Sequence, residues 1–279
     1  MKTIPVSLHI GAHKTASTHL QKTLEAAAEQ LADWDVCFLG PKSLRKDGVP
    51  LNKRLARGQS APDMAGDCDE LVISEENLMG PQFRPKSRRP LYPQGAKKIA
   101  DITDALTGAD VTLYMAVRDP ATWLASLYAH AVFNGLACDG IDAFTEGRSP
   151  DTLRWSDLIA ELAQTNRVVV WSQEDYQIVF PQIVEHMLGE GAALDPIEGH
   201  VNSSISAAAI AVLEGQGADR PEPQKSARIA KAQYPVRDPS DRFQPWPRKV
   251  LEASRAAYLA DLNRIMDLEN VTLLRRPAS

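Results

Sequence analysis

The stretch PVSLHIGAHKTAST, residues 5–18, contains the elements that decide the fold. Its first six residues predict a short buried strand. A glycine turn follows, and a helical pattern then runs over about 19–34. A strand, a glycine turn and a helix in this order mark the start of an α/β domain. The backbone N–H groups of such a turn can surround an anion, and the helix N-terminus adds partial positive charge.

Apolar segments farther along the chain extend this pattern. The runs at 71–73, 111–117 and 167–171 predict buried strands, and a further short apolar run lies at 36–39. Helical patterns separate several of them, at about 95–107, 120–133, 152–165 and 174–189. Strands that alternate with helices predict a mostly parallel sheet with helices on both faces, a three-layer α/β fold.

The remaining segments predict loops and a cap. Residues 41–69 predict a long excursion with a short helix, and 80–94 predict a proline-rich loop. After Gly199, helical patterns at 203–214 and 247–268 flank a stretch, 215–247, that is rich in proline, glycine and charge and predicts a loop. We therefore predict a single domain over 1–279, with an α/β core at 1–200 and a C-terminal loop and helix cap at 201–279.

The composition excludes several classes of protein. The 279 residues include 44% apolar and 24% charged residues, which argues against disorder and coiled coil. A net charge of −5 argues against a general nucleic-acid binder. Cys37, Cys68 and Cys138 have neither metal-ligand spacing nor an even count, which suggests a reducing compartment. No apolar run approaches the roughly 18–20 residues of a membrane span, and we expect a cytoplasmic protein. The oligomeric state stays open.

The turn after the first strand has the chemistry of a phosphate site. Lys14 supplies a positive charge, and Thr15, Ser17 and Thr18 supply hydroxyl donors. The spacing differs from the Walker A pattern, because Lys14 lies three residues after Gly11 and no glycine directly precedes it. The 71–73 strand ends in Ser-Glu-Glu, without the Asp that would hold Mg²⁺. These residues predict a phosphate-binding loop without a metal, the alternative being a capped helix with a solvated lysine.

A second motif follows the 111–117 strand. Arg118 comes directly after this strand, Asp119 and Pro120 suit the start of a helix, and Ser126 lies eight residues after Arg118. Arg118 could bind a phosphate, and the Ser126 hydroxyl could join it. The alternative is a surface pair of Arg118 and Asp119, with Ser126 packed in the helix.

Together the two motifs resemble the sulfotransferase family that uses 3′-phosphoadenosine 5′-phosphosulfate (PAPS), bacterial members included. One matching segment is Lys14–Thr18, and a second is Arg118–Pro120 with Ser126 and Tyr128. In addition, residues 168–176 are similar to a strand and the acidic turn after it in that family. The resemblance implies a fold like that of the P-loop NTPases, and PAPS as the cofactor. The implied cofactor-binding residues are His13, Lys14, Thr15, Ala16, Ser17, Thr18, Arg118 and Ser126. The sequence departs from the family at Ala16, where a glycine is usual, and at His19, where many members have an aromatic residue.

The resemblance also implies the chemistry. A sulfuryl group would pass from PAPS to a hydroxyl or amine, with Lys14 stabilising the leaving phosphate. Carbohydrate-type and bacterial members use an acidic base after an early strand, and Glu75 and Glu76 have that place here. If the chain stays extended there, the two side chains point to opposite faces, so only one can reach the acceptor. We select Glu76 as the base, because the resemblance to bacterial members implies an acid two residues after Ser74.

The sequence does not name the acceptor. It could be a small molecule, a glycan or a lipid headgroup. Two basic clusters could bind an anionic acceptor, the alternative being that both are solvated loops. One cluster is Lys53, Arg54 and Arg57, and the other is Arg84, Lys86, Arg88 and Arg89. Two other functions stay open: an ATP-dependent small-molecule kinase on a related fold, and a non-catalytic nucleotide-binding protein.

Overall fold

A computed structural model describes residues 2–46, 48–80, 91–199 and 204–277. Within these ranges one sheet contains six strands: β1 (Ile4–Gly11), β2 (Val36–Leu39), β3 (Glu70–Ser74), β4 (Ala109–Val117), β5 (Arg167–Ser172) and β6 (Val271–Leu274). The strand order is β2-β3-β1-β4-β5-β6, and every neighbouring pair is parallel. The carboxyl ends of all these strands therefore lie along one edge of the sheet.

The register places β1 at the centre. Val6 lies opposite Leu71 of β3 on one side and Val111 of β4 on the other. The segments that follow β1, β3 and β4 are therefore neighbours at the carboxyl edge, which is the usual place of binding sites in open α/β sheets. These segments contain Lys14, Glu75 with Glu76, and Arg118.

Helices account for most of the rest of the described chain. Their bounds are α1 (Ser17–Ala26), α2 (Ala28–Asp33), α3 (Leu51–Ala56), α4 (Ala61–Ala65), α5 (Gly95–Ala105), α6 (Pro120–Phe133), α7 (Gly140–Thr145), α8 (Trp155–Ala163), α9 (Tyr176–Leu188), α10 (Ala207–Gln216), α11 (Pro223–Gln233) and α12 (Arg248–Met266). None of the helices in the described ranges is long and apolar enough to cross a membrane.

Alternate residues of the strands divide the core into two layers. Leu8 and Ile10 of β1 belong to the cluster that includes residues of α5, α6, α8 and α12. Val72 and Trp171, from β3 and β5, belong to the cluster on the other face, with residues of α1, α2 and α9. Both faces of the parallel sheet are thus covered by helices, and the predicted three-layer α/β fold is confirmed.

The helix after β4 begins as its sequence predicts. The Asp119 side chain accepts a hydrogen bond from the backbone N–H of Ala121 at 3.0 Å, and Pro120 occupies the first turn. The hydroxyl of Ser254 in α12 also donates to Asp119, at 2.7 Å. The N-terminus of α6, which directly follows Arg118, is therefore fixed both by its own cap and by α12.

Several segments differ from their predictions. The predicted helix at 19–34 is two helices, α1 and α2. The excursion at 41–69 holds a π-helical turn, Lys42–Lys46, in addition to α3 and α4. The predicted loop at 215–247 contains α11, whose Ala227 and Ala230 are buried in a cluster with residues of α6 and α10. Small residues allow this close packing even though the segment is polar overall.

The C-terminal region also departs from its prediction, because it is more than a cap. Residues 271–274 form β6, which pairs with β5 and completes the sheet, with Val168 opposite Val271. The strand has only four residues, of which Leu274 is buried, so its pattern is too short to predict a strand from sequence. Most of the predicted proline-rich loop, including the basic cluster of Arg84, Lys86, Arg88 and Arg89, lies outside the described residues.

Candidate functional site

The loop between β1 and α1, residues 12–16, has the backbone of an anion site. Lys14 and Ala16 both have left-handed φ values, 64° and 70°. Among the described residues, nothing accepts a hydrogen bond from the backbone N–H groups of Lys14, Ala16, Ser17 and Thr18. Free N–H groups in a turn of this kind, at a helix N-terminus, attract an anion. We call residues 12–18 the anion loop.

Gly11 has a reason to be glycine at the start of this loop. Its φ is 109°, a conformation that other residues rarely adopt. A Cβ at this position would also lie only 3.3 Å from the Cβ of Glu76. The chain after β1 therefore passes close against the chain after β3.

The hydroxyl groups of the loop do not all face outward. Thr15 Oγ1 donates to the carbonyl oxygen of Ala12 at 2.6 Å, and Ser17 Oγ donates to the same oxygen at 3.3 Å. Both side chains are buried. Thr15 and Ser17, which the sequence predicts as hydroxyl donors to a ligand, thus stabilise the loop itself. Thr18 is half-buried, and its hydroxyl has no hydrogen-bond partner among the described residues.

Lys14 is the free cation of the loop. Within the described ranges its Nζ makes no hydrogen bond and no ion pair. Burial, and after it the positive charge of Arg118, lower the pKa of Lys14 to about 8, although the negative charge of Glu76 opposes both. A partly buried ammonium next to another cation is poised to bind an anion, because the anion would relieve the repulsion between them.

Arg118 braces the loop. Its Nη1 donates to the carbonyl oxygen of Lys14 at 3.0 Å, and its Nε donates to Thr122 Oγ1 at 2.9 Å. Burial lowers the pKa of Arg118, whereas the nearby carboxylates of Glu174 and Asp119 raise it. Ser126 lies one helical turn beyond Thr122 on α6, so its side chain is on the same face of the helix as the Thr122 hydroxyl that binds Arg118.

Glu75 and Glu76 share one arginine. Arg45 Nε lies 2.8 Å from Glu75 Oε2, and Arg45 Nη2 lies 3.1 Å from Glu76 Oε1. The expectation that the two glutamates point to opposite faces is therefore wrong. The chain turns after β3 because Glu75 Oε1 accepts hydrogen bonds from the backbone N–H and the side-chain amide of Asn77, at 2.9 and 2.7 Å.

Glu76 lies next to the anion loop and is held there. Its Oε2 accepts a hydrogen bond from Gln21 Nε2 at 2.8 Å. Burial by itself would raise the pKa of Glu76, but the hydrogen bonds from Gln21 and the backbone, together with Arg45, outweigh burial and lower the pKa. Glu76 is consequently ionised at neutral pH. Gln21 in turn contacts Ser74 Oγ at 3.2 Å, which joins Glu76 to the end of β3.

His13 fixes the loop through its ring and its backbone. Its Nδ1 lies 2.9 Å from the hydroxyl of Tyr92, and its Nε2 lies 3.1 Å from Asn77 Oδ1. Its carbonyl oxygen accepts a hydrogen bond from Trp123 Nε1 at 2.9 Å. Burial lowers the pKa of His13, so the ring is neutral. Although His13 is predicted to bind the cofactor, both of its ring nitrogens contact other side chains of the protein.

Several residues of this site were missed from sequence. Gln21 and Arg45 hold Glu76, and Tyr92 holds His13. His130 of α6 lies close enough to Lys14 for the lysine's charge to add to the effect of burial, which lowers the pKa of His130. Sequence spacing could have indicated only His130, which lies four residues after Ser126. Gln21, Arg45 and Tyr92 reach the site through tertiary packing, which leaves no local pattern.

The structure therefore brings together Lys14, Glu76 and Arg118, as their places after neighbouring strands predict. The other basic cluster, Lys53, Arg54 and Arg57, lies on and just after α3, where Arg54 Nε donates to the carbonyl oxygen of Val49 at 3.0 Å. Within the described ranges, no group of three or more His, Cys, Asp or Glu side chains could hold a metal ion.

Comparisons with known proteins add little to this description. No protein-family model matches the chain, and no curated protein matches it. One solved structure comes from work on the PezAT chromosomal toxin–antitoxin system of Streptococcus pneumoniae. It aligns over 96% of this chain and 89% of its own, with 12% sequence identity and a TM-score of 0.25. A likeness at that level carries no argument about fold or function.

Proposed function

We propose that this protein transfers a sulfuryl group from PAPS to a hydroxyl or amine of a small-molecule, glycan or lipid-headgroup acceptor. The observation that carries the proposal is the pairing of Lys14 and Arg118. Lys14 Nζ has no partner among the described residues, and Arg118 binds the backbone of the same loop. Two adjacent cations beside the free N–H groups of the anion loop fit a ligand with several phosphate or sulfate groups.

The residues of the site fit PAPS, and the order of the two motifs assigns a different part of the ligand to each motif. The anion loop would bind the 5′-phosphosulfate, and Arg118 with Ser126 would bind the 3′-phosphate. When bound, PAPS supplies an activated sulfuryl group. Lys14 and the N–H groups of the loop would stabilise the negative charge that grows on the leaving phosphate. Because these donors are fixed before the reaction, they need little reorganisation when the charge moves.

Glu76 is our candidate for the general base. It is ionised, it lies beside Lys14, and its carboxylate accepts hydrogen bonds from Gln21, Arg45 and the backbone. The two oxygens of a carboxylate can together accept about four hydrogen bonds, so Glu76 retains room for the proton of an acceptor hydroxyl. Glu75 is the less suitable candidate, because Asn77 and Arg45 engage both of its oxygens and it is buried.

Binding experiments test the proposal first. We expect adenosine 3′,5′-bisphosphate to stabilise the protein without added metal, by about 2.7 kcal/mol at a ligand concentration of about 100 Kd. Thermal-shift measurements should compare it with ATP plus Mg²⁺. Stabilisation by MgATP alone would favour the kinase and contradict our proposal.

A variant at the proposed 3′-phosphate site sharpens this test. Ser126→Ala should weaken binding of the bisphosphate more than binding of adenosine 5′-phosphosulfate, which has no 3′-phosphate. Ser226→Ala, on α11, is the control and should change neither affinity. Equal losses for both ligands in Ser126→Ala would remove the 3′-phosphate assignment. Transfer of labelled sulfate from PAPS to an acceptor panel then separates an enzyme from a protein that only binds nucleotides.

A further inference from the structure

One face of α6 carries a polar stripe that the function described so far uses only in part. Thr122, Ser126, His130 and Asn134 follow one another at four-residue intervals, and all four are partly exposed. Most other residues of the helix, among them Trp123, Leu127 and Tyr128, are buried. Residues four apart lie above one another on a helix, so the four polar side chains form a line.

This stripe begins at the anion loop. Thr122 Oγ1 accepts the hydrogen bond from Arg118 Nε at 2.9 Å, and the neighbouring Trp123 binds the carbonyl oxygen of His13. The start of α6 is therefore tied to the loop at two points. Ser126 and then His130 follow along the helix, and His130 is still near enough to Lys14 for the charge of the lysine to affect its pKa.

The imidazole of His130 is oriented by its neighbour on the next turn. Asn134 Nδ2 lies 3.3 Å from His130 Nε2, and Asn134 Oδ1 accepts a hydrogen bond from Gln224 Nε2 at 3.0 Å. This second bond turns the amide nitrogen of Asn134 toward the ring. His130 Nε2 is then the acceptor, and the ring proton is on Nδ1. No described residue accepts a hydrogen bond from Nδ1.

The charged groups around His130 favour its neutral form. Burial, and after it the positive charge of Lys14, lower the pKa of His130 to about 4. Three acidic groups on the helices packed against α6 are engaged elsewhere. Glu214 of α10 binds the hydroxyl of Tyr128, Glu222 pairs with Lys225 at 2.8 Å at the start of α11, and Asp261 of α12 binds Ser156 at 2.6 Å.

We propose that His130 is a ligand-contacting residue, and that its Nδ1–H donates a hydrogen bond to an anionic oxygen of the nucleotide held by Lys14 and Arg118. The identity of that nucleotide rests on the proposed function, whereas the contact with an anion does not. His130 would extend the binding site along α6 beyond Ser126. The stripe would then have a division of roles, with Thr122 bracing Arg118, Ser126 and His130 contacting the ligand, and Asn134 orienting His130.

Two substitutions at the same position test this contact. His130→Asn retains an amide N–H close to the position of Nδ1, whereas His130→Ala retains no donor. We expect His130→Ala to lower the affinity for adenosine 3′,5′-bisphosphate by roughly 10- to 100-fold, the effect of losing one hydrogen bond to a charged group. His130→Asn should bind within about threefold of the wild type. His186→Ala, an exposed histidine of α9, is the control.

The same calorimetric titrations should use inorganic pyrophosphate as a second probe, with thermal melting to confirm that each variant is folded. If neither probe distinguishes His130→Ala from the wild type, the contact does not exist. If wild-type affinity rises as the pH falls from 7 to 5.5 and both variants lose that rise, His130 binds as the imidazolium and our assignment is wrong.

The probes also separate this inference from the proposed function. If pyrophosphate binds and depends on the side chain at position 130 while the bisphosphate does not bind, the proposed function fails and the contact stands. If neither probe binds the wild type, both fail.

Discussion

Arg118 donates a hydrogen bond from Nη1 to the backbone carbonyl oxygen of Lys14, at 3.0 Å. The contact fixes the main chain of Lys14 and leaves its ammonium free. It also brings two positive charges into the same partly buried region, where repulsion and burial both disfavour the charged lysine. The arrangement should therefore cost stability in the free protein and favour an anion when one is present.

The first prediction concerns the stability of the free protein. The pKa of Lys14 falls from 10.5 to about 8 on folding, so the unfolded chain binds the proton more tightly than the folded protein. Between these values stability rises with pH, and below about 8 the full cost of the charge is present. Lys14→Met should raise the free energy of unfolding at pH 7 by about 1–3 kcal/mol, measured by chemical denaturation.

The same variant should abolish bisphosphate binding, which separates stability from function. Lys22→Met, on the exposed side of α1, is the matched control and should change neither quantity appreciably. A less stable Lys14→Met protein would contradict the account of Lys14 as a strained cation.

A second prediction follows from the pKa of Lys14 for the pH dependence of binding. Only the protonated lysine attracts an anion, and bound anion should raise the pKa of Lys14. Affinity for adenosine 3′,5′-bisphosphate should thus fall above about pH 8, by up to roughly tenfold for each pH unit. Lys14→Arg keeps its charge in this range and should lose the dependence. Calorimetry at pH 7, 8 and 9 measures both, and a flat wild-type profile would refute the prediction.

The third prediction concerns Ala16, where the resemblance leads one to expect glycine. Ala16 has φ 70° and ψ 13°, a left-handed conformation that costs a residue with a Cβ about 1–2 kcal/mol. Glycine removes that cost but gives the unfolded chain more freedom. Ala16→Gly should raise the free energy of unfolding by about 0.5–1 kcal/mol. Ala27→Gly, at φ −90°, should lower it instead, and a loss in both variants would show that Ala16 is unstrained.

The fourth prediction separates the two glutamates. Glu76→Gln should lower kcat by about 10²–10⁴-fold with any accepted substrate, the usual contribution of a general base, and leave bisphosphate affinity nearly unchanged. Glu75→Gln should cost far less activity but should lower the melting temperature, because the Glu75 carboxylate holds Asn77 and Arg45 in the turn. A near-wild-type kcat in Glu76→Gln would show that Glu76 is not the base. A loss of kcat confined to Glu75→Gln would assign that role to Glu75.

Local signals in the sequence predict the framework of the fold. The apolar runs of β1, β3, β4 and β5 predict strands because no other element fits such short buried segments between helices. Asp119 and Pro120 predict the start of α6, because a cap and a fixed φ act on the nearest residues only. Since all the strands are parallel, the relative positions of Lys14, Glu76 and Arg118 follow from their places after strand ends.

Other features depend on contacts between distant segments, and the sequence does not reveal them. α11 forms in a polar segment because Ala227 and Ala230 pack in a cluster with α6 and α10. The turn after β3 depends on how Glu75 binds Asn77, which overrides the extended conformation. Thr15 and Ser17 are common ligand donors in sequence motifs, and only the folded loop shows that their hydroxyls bind Ala12.

The position of β1 at the centre of the sheet has a consequence for biosynthesis. β1 is translated before the other strands of this sheet, yet its two neighbours begin only at Glu70 and Ala109. The bond from Arg118 that braces the anion loop comes later still. The nascent chain therefore carries β1 without a hydrogen-bond partner for about 60 residues, until β3 is translated, and the second neighbour, β4, begins about a hundred residues after β1 ends. During that interval the apolar side chains of β1 lack the sheet in which they pack, and the loop that follows β1 is translated early but ordered late.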